Sequence, residues 1–213
     1  MSKGVVSILL ATKDRPQFLP RAIASVLAQT DPDWQLCILD NGEPVTVPFD
    51  RRIVYRHHPA TGSADAYRQA LAMATGEYVC TLADDDELTP WAVEVIHERI
   101  GDAEWGYGRT DYERDGAVIM RLGDPWDLPR LRSFYYLGGA VFWRKRLSDR
   151  LGGFDPDFNL VGDYDLYLRF GEDSPPVYLA DETLYVYHDH PGAETRTRTA
   201  EQAAQVARIV GRS

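Results

Sequence analysis

The strongest chemical signal in the sequence is a run of three aspartates, Asp84, Asp85 and Asp86, that follows the apolar segment 77–82. Three adjacent carboxylates repel one another, and a divalent cation relieves that repulsion. Mg²⁺ and Mn²⁺ commonly take one or two carboxylates together with phosphate oxygens. The run therefore indicates a metal site that also carries a diphosphate. An acidic loop that caps the following helix and favours its N-terminal dipole explains the same residues without a metal.

Two other polar segments also follow apolar runs. Residues 11–15 (Ala-Thr-Lys-Asp-Arg) end the run 5–11, and residues 40–42 (Asp-Asn-Gly) follow the run 34–39. In an open parallel sheet, ligands bind beyond the carboxyl ends of the strands. If these runs are neighbouring strands, the three polar segments lie at one edge of the sheet.

Sequence signatures of other sites are missing. The sequence contains no glycine-rich dinucleotide loop, no P-loop, no nucleophile elbow and no Cys/His zinc spacing. Dinucleotide-dependent and P-loop enzymes therefore lose their main support.

The elements that must position the polar segments alternate through the first hundred residues. The run 5–11 is nearly all apolar and rich in β-branched residues, as is typical of a buried strand, and further strands are predicted at 34–39, 52–55 and 77–82. Apolar residues at three-to-four spacing predict three helices: one capped by Asp14 with Pro16 in its first turn, one from Ser63 to a left-handed stop at Gly76, and one from Thr89 to Gly101. This alternation predicts a parallel sheet with right-handed crossovers.

The second hundred residues follow a looser pattern. A hairpin is predicted for 105–113 and 117–122 around the turn dipeptide Asp115-Gly116. Strands are predicted at 140–143 and 177–188, a helix near 163–170 and a tail helix at 199–210. The chain is therefore expected to form one α/β domain with two unequal halves.

Composition narrows the class of protein further. Apolar residues make up 44% of the 213 residues, which is enough for one core. The 23 basic and 33 acidic residues give a net charge of −10 without the Lys/Arg clusters of nucleic-acid-binding proteins, so no nucleic-acid partner is expected. No apolar run reaches the roughly 18 residues of a membrane span, and no signal peptide is visible in Met1–Gly4.

The use of cysteine and arginine points to a compartment and a source. Cys37 and Cys80 both lie in apolar runs and are expected to be buried free thiols, as in a reducing cytoplasm. The excess of arginine over lysine is typical of a GC-rich bacterial genome. A cytoplasmic, bacterial protein is therefore expected.

Several segments together resemble the family 2 glycosyltransferases of the GT-A fold. They occur in the family's order and cover roughly residues 5–192: 6–16, 22–29, 38–42, 74–79, 82–86 with Pro90, 152–155, 162–165 with Leu168 and Arg169, and 187–192. Segment 82–86 is similar to the family's Asp-x-Asp metal motif. Each motif is weak alone, but their order and spacing identify the chain as a member of this family.

The resemblance implies a single GT-A domain across residues 1–213. This is a Rossmann-like α/β fold with a mostly parallel central sheet flanked by helices and a smaller mixed or antiparallel acceptor-side portion. Residues of about 1–101 would form the nucleotide-binding half and about 102–192 the acceptor-binding half. Residues 193–213 would form a C-terminal tail or helix.

The resemblance also implies roles for individual residues. Nucleotide-binding positions would be Ala11, Thr12, Asp14, Arg15, Asp40 and Asp84. Among them Asp40 would contact the base, and its carboxylate could accept from uracil, thymine or guanine. Asp85 and His190 would hold Mn²⁺ or Mg²⁺, and Asp163 would be the catalytic base. Additional site positions would be Asp86, Gly62 and Gly139.

The implied activity is metal-dependent, inverting transfer of a sugar from a nucleoside diphosphate sugar, expected to be UDP-linked, to an acceptor hydroxyl. The acceptor would be a glycan, a lipid-linked compound or a small molecule, and peripheral contact with a membrane stays open. Some residues depart from the family pattern, namely Lys13, Asp14, Ala83 and the triplet 66–68. These departures leave a catalytically degenerate carbohydrate-binding homologue as an alternative.

A second enzymatic alternative is a sugar-1-phosphate nucleotidyltransferase. Such an enzyme needs a glycine-rich basic loop after the first strand, whereas this segment has Lys13 and Arg15 but no glycine. For Asp163, the alternative to catalysis is a helix cap, since it precedes the apolar residues of a predicted helix.

Overall fold

The computed structural model describes residues 4–212, apart from the side chain of Thr195. Residues 1–3 and 213, which belong to the predicted domain, lie outside the described residues. Residues 1–3 are also part of the segment Met1–Gly4 on which the signal-peptide prediction rests. The strands are β1 Val6–Thr12, β2 Trp34–Asp40, β3 Ile53–His57, β4 Tyr78–Ala83, β5 Glu87–Leu88, β6 Trp105–Arg114, β7 Ala117–Leu122, β8 Val141–Arg144 and β9 Val177–His188.

The helices cover both faces of the sheet that these strands form. They are α1 Leu19–Leu27, α2 Ser63–Leu71, α3 Ala92–Arg99, α4 Leu128–Leu131, α5 Lys145–Arg150, α6 Gly162–Asp173, α7 Glu194–Thr197 and α8 Thr199–Val210, with a 3₁₀ turn at Pro156–Phe158. No helix of residues 4–212 is long and apolar enough to cross a membrane.

The strands form one mixed sheet in the order β3-β2-β1-β4-β8-β6-β9-β5, and β7 pairs with β6 outside this path. The first four strands of this order are parallel to one another. Strand β8 runs antiparallel to β4 and β6, while β6 and β9 are parallel. The predicted α/β fold, with a parallel first part and a mixed second part of the sheet, is confirmed.

The buried strand β1 shows why the sheet is covered on both faces. Leu9 belongs to the core under α2 and α6, whereas Ile8 and Leu10 belong to the core under α1 and α3. Successive side chains of a strand point to opposite faces, so a continuous apolar run buries both. Cys37 and Cys80 are buried free thiols, and burial raises the pKa of Cys37 to about 12.

Two local predictions were wrong. Asp14 does not cap α1, which begins at Leu19 after an N-cap residue, Phe18, that makes no side-chain cap bond. Gly76 does not end α2, which stops at Leu71. A Cβ on Gly76 would lie 2.3 Å from the carbonyl oxygen of Val5, so close backbone packing rather than a left-handed turn requires glycine there.

The predicted hairpin is confirmed. Asp115 and Gly116 have φ angles of 52° and 78°, which a two-residue hairpin turn requires. The register of the hairpin shifts at a bulge between Tyr112 and Glu113. The tail helix is also present, and it is anchored by the buried Ile209 and by the Gln205 side chain, which accepts from the Leu160 N–H at 2.9 Å.

Candidate active site

A cavity of about 750 Å³ opens at the carboxyl ends of β1 and β4. Its walls come from both halves of the chain and from the tail. Nine of the predicted site residues line it: Ala11, Thr12, Arg15, Gly62, Asp84, Asp85, Asp86, Gly139 and Asp163. The three polar segments predicted at one sheet edge therefore do meet, since residues 11–13, Arg15, Asn41 and residues 83–86 all reach this cavity.

Arg15 ties the first two aspartates of the acidic loop together. Its Nη1 lies 3.2 Å from Asp84 Oδ1 and 2.7 Å from Asp85 Oδ2. The hydroxyl of Thr12 donates to Asp84 Oδ2 at 2.7 Å. Desolvation raises the pKa of Asp84 to about 6, against the opposing effects of Thr12 and Arg15. The loop is thus held from β1 and from the segment that follows it.

Asp86 is held from the opposite side, by β9. Its carboxylate accepts from the Tyr185 hydroxyl at 2.7 Å and from the His188 N–H at 2.8 Å. The Tyr185 oxygen in turn accepts from the Ala83 N–H at 3.1 Å. Desolvation, followed by repulsion from Asp85, raises the pKa of Asp86 to about 8. Both oxygens of Asp86 are therefore engaged within the protein.

His190 meets Asp85 from outside the cavity lining. His190 Nε2 lies 3.0 Å from Asp85 Oδ2, and the Gly192 N–H donates to His190 Nδ1 at 3.2 Å. The ring also packs 4.7 Å from Phe18. The two predicted metal-site residues are thus adjacent.

The carboxylate of Asp85 and the imidazole of His190 can be compared with the ligands that divalent cations prefer. A carboxylate and a neutral imidazole suit Mn²⁺, and the carboxylate suits Mg²⁺. Among residues 4–212, no group of three His, Cys, Asp or Glu side chains is placed to hold a metal ion. Asp85 and His190 therefore fit only a cation whose remaining ligands come from a bound diphosphate and water.

Asp163 lies in the first turn of α6 and faces the cavity. The N-cap residue of α6 is Val161, with no side-chain cap bond, but the Asp163 carboxylate accepts from its own backbone N–H and from that of Tyr164 in the first turn. Both the helix-cap alternative and the catalytic role of Asp163 therefore stay predictions. A Cβ on Gly162 would come within 2.8 Å of Ala64, which lets α6 approach α2 closely. Desolvation raises the pKa of Asp163, opposed by hydrogen bonds from Tyr164 and Tyr135.

Asp40 and Asp14 organise a turn instead of lining the cavity. Asp40 is fully buried and accepts from the Gly42 N–H at 3.0 Å, the Val45 N–H at 3.2 Å and the Tyr55 hydroxyl at 2.7 Å. Asp14, with a φ of 55°, accepts from the Glu43 N–H at 2.9 Å. Their contacts with a nucleotide stay predictions.

Asn41 was predicted only as part of the polar segment 40–42, and no role was predicted for the tail at the cavity. Asn41 lines the cavity directly after the buried Asp40. The apolar run 34–39 could have indicated this position. Because the residues of such a strand are buried in the sheet, the first residue that can face the cavity is the one that follows the strand. Glu194 of α7, Gln202 of α8 and Arg198 between the two helices also line the cavity. No motif marks these tail residues.

The two predicted glycines are explained by close packing at the cavity wall. Gly62 has a φ of 153°, and a Cβ there would overlap the side chain of Asn159. A Cβ on Gly139 would lie 2.6 Å from the Tyr185 ring. Larger residues at either position would displace the wall.

Comparison with known protein families agrees with this geometry. The sequence model described as "Glycosyl transferase family 2" matches residues 7–136, which is more than half of the chain. The chain belongs to this family. It is therefore a glycosyltransferase of the GT-A fold.

One relative of the glycosyltransferase covers most of its length. The putative colanic acid biosynthesis glycosyl transferase WcaA of Escherichia coli is 31% identical over 210 residues, covering 88% of this chain and 74% of the relative. At this identity the family is shared, and the sugar and acceptor of the relative are not thereby assigned to this chain.

Solved structures share the fold at low identity. TarS 1–349 of Staphylococcus aureus in complex with UDP has a TM-score of 0.72 at 14% identity and covers 97% of this chain. Mannosyltransferase PcManGT of Pyrobaculum calidifontis, in complex with GDP-Man and Mn²⁺, has a TM-score of 0.68 at 16% identity and covers 99% of this chain. The glycosyltransferase spans 64% and 65% of these two chains.

Proposed function

We propose that this glycosyltransferase moves a sugar from a UDP-linked donor to an acceptor hydroxyl, with inversion at the anomeric carbon and with a divalent cation. The observation that carries the proposal is the cavity in which Arg15, the acidic loop 83–86 and Asp163 converge. The UDP and the GDP-Man with Mn²⁺ bound to structures of the same fold support a nucleotide-sugar donor. For the base, Asn41 supplies both a donor and an acceptor, as uracil requires.

The cation would be held by Asp85 and His190, and Mn²⁺ or Mg²⁺ fits. When bound, it neutralises the charge of the departing diphosphate. Arg15 already lies between Asp84 and Asp85 and would supply a further positive charge to the phosphates. Thr12 keeps Asp84 in place through its hydroxyl.

Asp163 would accept the proton of the acceptor hydroxyl. The hydroxyl oxygen forms the new bond to the anomeric carbon, the bond from that carbon to the diphosphate oxygen breaks, and its electron pair leaves with the diphosphate. Because attack comes from the face opposite to the leaving group, the configuration inverts and no covalent enzyme intermediate is needed. The raised pKa of Asp163 brings its basicity closer to neutral pH, which favours general-base catalysis.

The acceptor and the compartment belong to the same proposal. We infer a glycan, lipid-linked or small-molecule hydroxyl as acceptor. The buried free thiols Cys37 and Cys80 favour a reducing compartment, which supports the cytoplasm. Residues of about 4–101 would then bind the donor, and those of about 102–192 the acceptor.

A ligand screen tests the proposal. Melting temperatures are measured with UDP, GDP, dTDP and their sugars, each with Mn²⁺ and with EDTA, since a ligand of the native state raises the melting temperature. The expected result is a rise with UDP and Mn²⁺, and slow release of UDP from a UDP-sugar. Release of pyrophosphate from a nucleoside triphosphate would instead support the nucleotidyltransferase. Binding of sugar without any donor hydrolysis or transfer would support the degenerate homologue.

A further inference from the structure

An exposed apolar surface lies on the acceptor side of the sheet. Val118, Ile119 and Met120 of β7 are 42–48% exposed, and Phe134 is 56% exposed. We call these four residues the apolar rim. Contiguous exposed apolar side chains mark interaction sites, whereas isolated ones are common. Three consecutive exposed apolar residues on a strand that pairs on one side, with a fourth in the segment beside its end, make this edge a candidate interaction site.

One row of side chains joins the rim to the cavity. Met120 is paired with Tyr112 across β6 and β7, and directly opposed residues project on the same face of the sheet. Tyr112 in turn neighbours Tyr187 on β9, and their rings stack with centroids 4.4 Å apart. Both tyrosines line the cavity. The row Tyr187, Tyr112 and Met120 thus leads from the cavity to the sheet edge.

Phe134 reaches the same mouth from a second segment. It precedes Tyr135, which lines the cavity and lies beside Asp163. The Gly123 N–H donates to the Tyr136 carbonyl at 3.3 Å, which places segment 134–136 next to the end of β7. Phe134 therefore lies one residue before a cavity-lining residue and beside the end of β7.

We propose that the apolar rim binds an alkyl chain attached to the acceptor, so that the acceptor is a hydroxyl compound with a lipid-like tail. This inference rests on the proposed function, because it places the acceptor hydroxyl in the cavity of Asp163. The row changes from tyrosine rings, which suit a sugar face, to the thioether of Met120, which suits hydrocarbon. A second protein chain fits less well, since stable protein interfaces take roughly 20–30 residues from each side.

Direct binding of two glucosides tests the proposal without the need for turnover. Dodecyl β-glucoside, below its micelle concentration, and methyl β-glucoside are compared by equilibrium dialysis in the presence of UDP and Mn²⁺. The dodecyl compound should bind at least about tenfold more tightly, the gain expected from burying roughly two methylene groups. Met120→Asp should remove this gain, and Tyr112→Ala should reduce it.

Val54→Asp is the matched control, because Val54 is a 38% exposed apolar residue on β3 at the other end of the sheet. It should bind dodecyl glucoside as the wild type does.

Equal binding of both glucosides to the wild type overturns the proposal, as does unchanged dodecyl binding in Met120→Asp or in Tyr112→Ala. If the wild type is a dimer that Met120→Asp dissociates while dodecyl binding persists, the rim binds a second copy of this chain. This result also overturns the proposal. If UDP does not bind but Met120 still governs dodecyl binding, it is the proposed donor that fails.

Discussion

The acidic loop 83–86 lines the cavity and strand β7 lies beside it, paired with the strand that carries Tyr112, and the two are built in opposite ways. Every carboxylate of the loop has partners on other elements, from Thr12 and Arg15 on one side to Tyr185 and His188 on the other. Strand β7 is exposed along nearly its whole length. The carboxylates of the loop are held in place by hydrogen bonds and an ion pair, whereas the side chains of β7 are mostly exposed. Substitutions should therefore change chemistry and donor affinity at the loop side and acceptor choice at the β7 side.

The largest effect is expected at Asp163 of α6, which lines the same cavity as the loop. Asp163→Asn keeps the shape of the side chain but cannot accept a proton at neutral pH. Turnover should fall by roughly two to four orders of magnitude, the range for loss of a general base, with near-normal UDP affinity and melting temperature. Transfer assays and calorimetry with UDP measure the two effects.

Asp165 on the same helix is the matched control. It is buried and paired with Arg169 at 2.6 Å. Asp165→Asn should lower the melting temperature and leave turnover within a few-fold of the wild type. Turnover of Asp163→Asn close to that of the wild type would transfer the base to another carboxylate, and Asp165 is the next to test.

The next largest effect is expected within the loop itself, between neighbouring aspartates. Asp85→Asn should abolish the dependence of UDP affinity on Mn²⁺, which in the wild type should amount to about ten- to a hundredfold, the scale of one interaction with a charged group. Asp86→Asn should keep this dependence, because both oxygens of Asp86 are already bound within the protein. Titration calorimetry of UDP with Mn²⁺ and with EDTA measures it. Equal UDP affinity in both conditions in the wild type would remove Asp85 from the metal site.

The fold could be predicted from the sequence almost completely, and the reasons are local. The run 5–11 is nearly continuous and rich in β-branched residues, and Asp115-Gly116 favours a hairpin turn by itself. Both elements could therefore be predicted without information from the rest of the chain. The role of Gly76 could not be predicted, because a side chain there would collide with the carbonyl oxygen of Val5, which is distant in sequence.

The site could be predicted only in outline. Three strand-end segments were expected to converge, and they do. Which of two adjacent polar residues faces a ligand depends on tertiary contacts, and Asp40 is turned inward by Gly42, Val45 and Tyr55. The contribution of α8 to the cavity could not be predicted, because it depends on docking of the tail through Ile209.

A smaller effect should appear in the dependence of stability on pH. Asp84 and Asp86 have folded-state pKa values of about 6 and about 8, above the ordinary 3.8. The folded chain therefore binds more protons than the unfolded chain between about pH 4 and pH 8, and the free energy of unfolding falls as pH rises through this window. In EDTA the melting temperature should drop from pH 5 to pH 8, by roughly 2–4 °C for each kcal/mol lost.

The variant Asp86→Asn separates this effect from other titrations. Its amide does not titrate, so its melting temperature should change less over the same range. If the melting temperature of the wild type instead rises from pH 5 to pH 8, folding does not raise the pKa values of the loop carboxylates.

The smallest effect concerns the base of the nucleotide and the pair Asp40 and Asn41. Asn41→Ala removes an amide at the cavity wall and should weaken UDP binding by about three- to tenfold, the scale of one neutral hydrogen bond, with an unchanged melting temperature. Asp40→Asn replaces a buried acceptor that binds two N–H groups and the Tyr55 hydroxyl, so it should mainly lower the melting temperature. Calorimetry with UDP and thermal unfolding, performed on both variants, distinguish the two roles. If Asp40→Asn weakened UDP binding more than Asn41→Ala at equal stability, the base would be bound by Asp40, and this turn would have to open when the nucleotide enters.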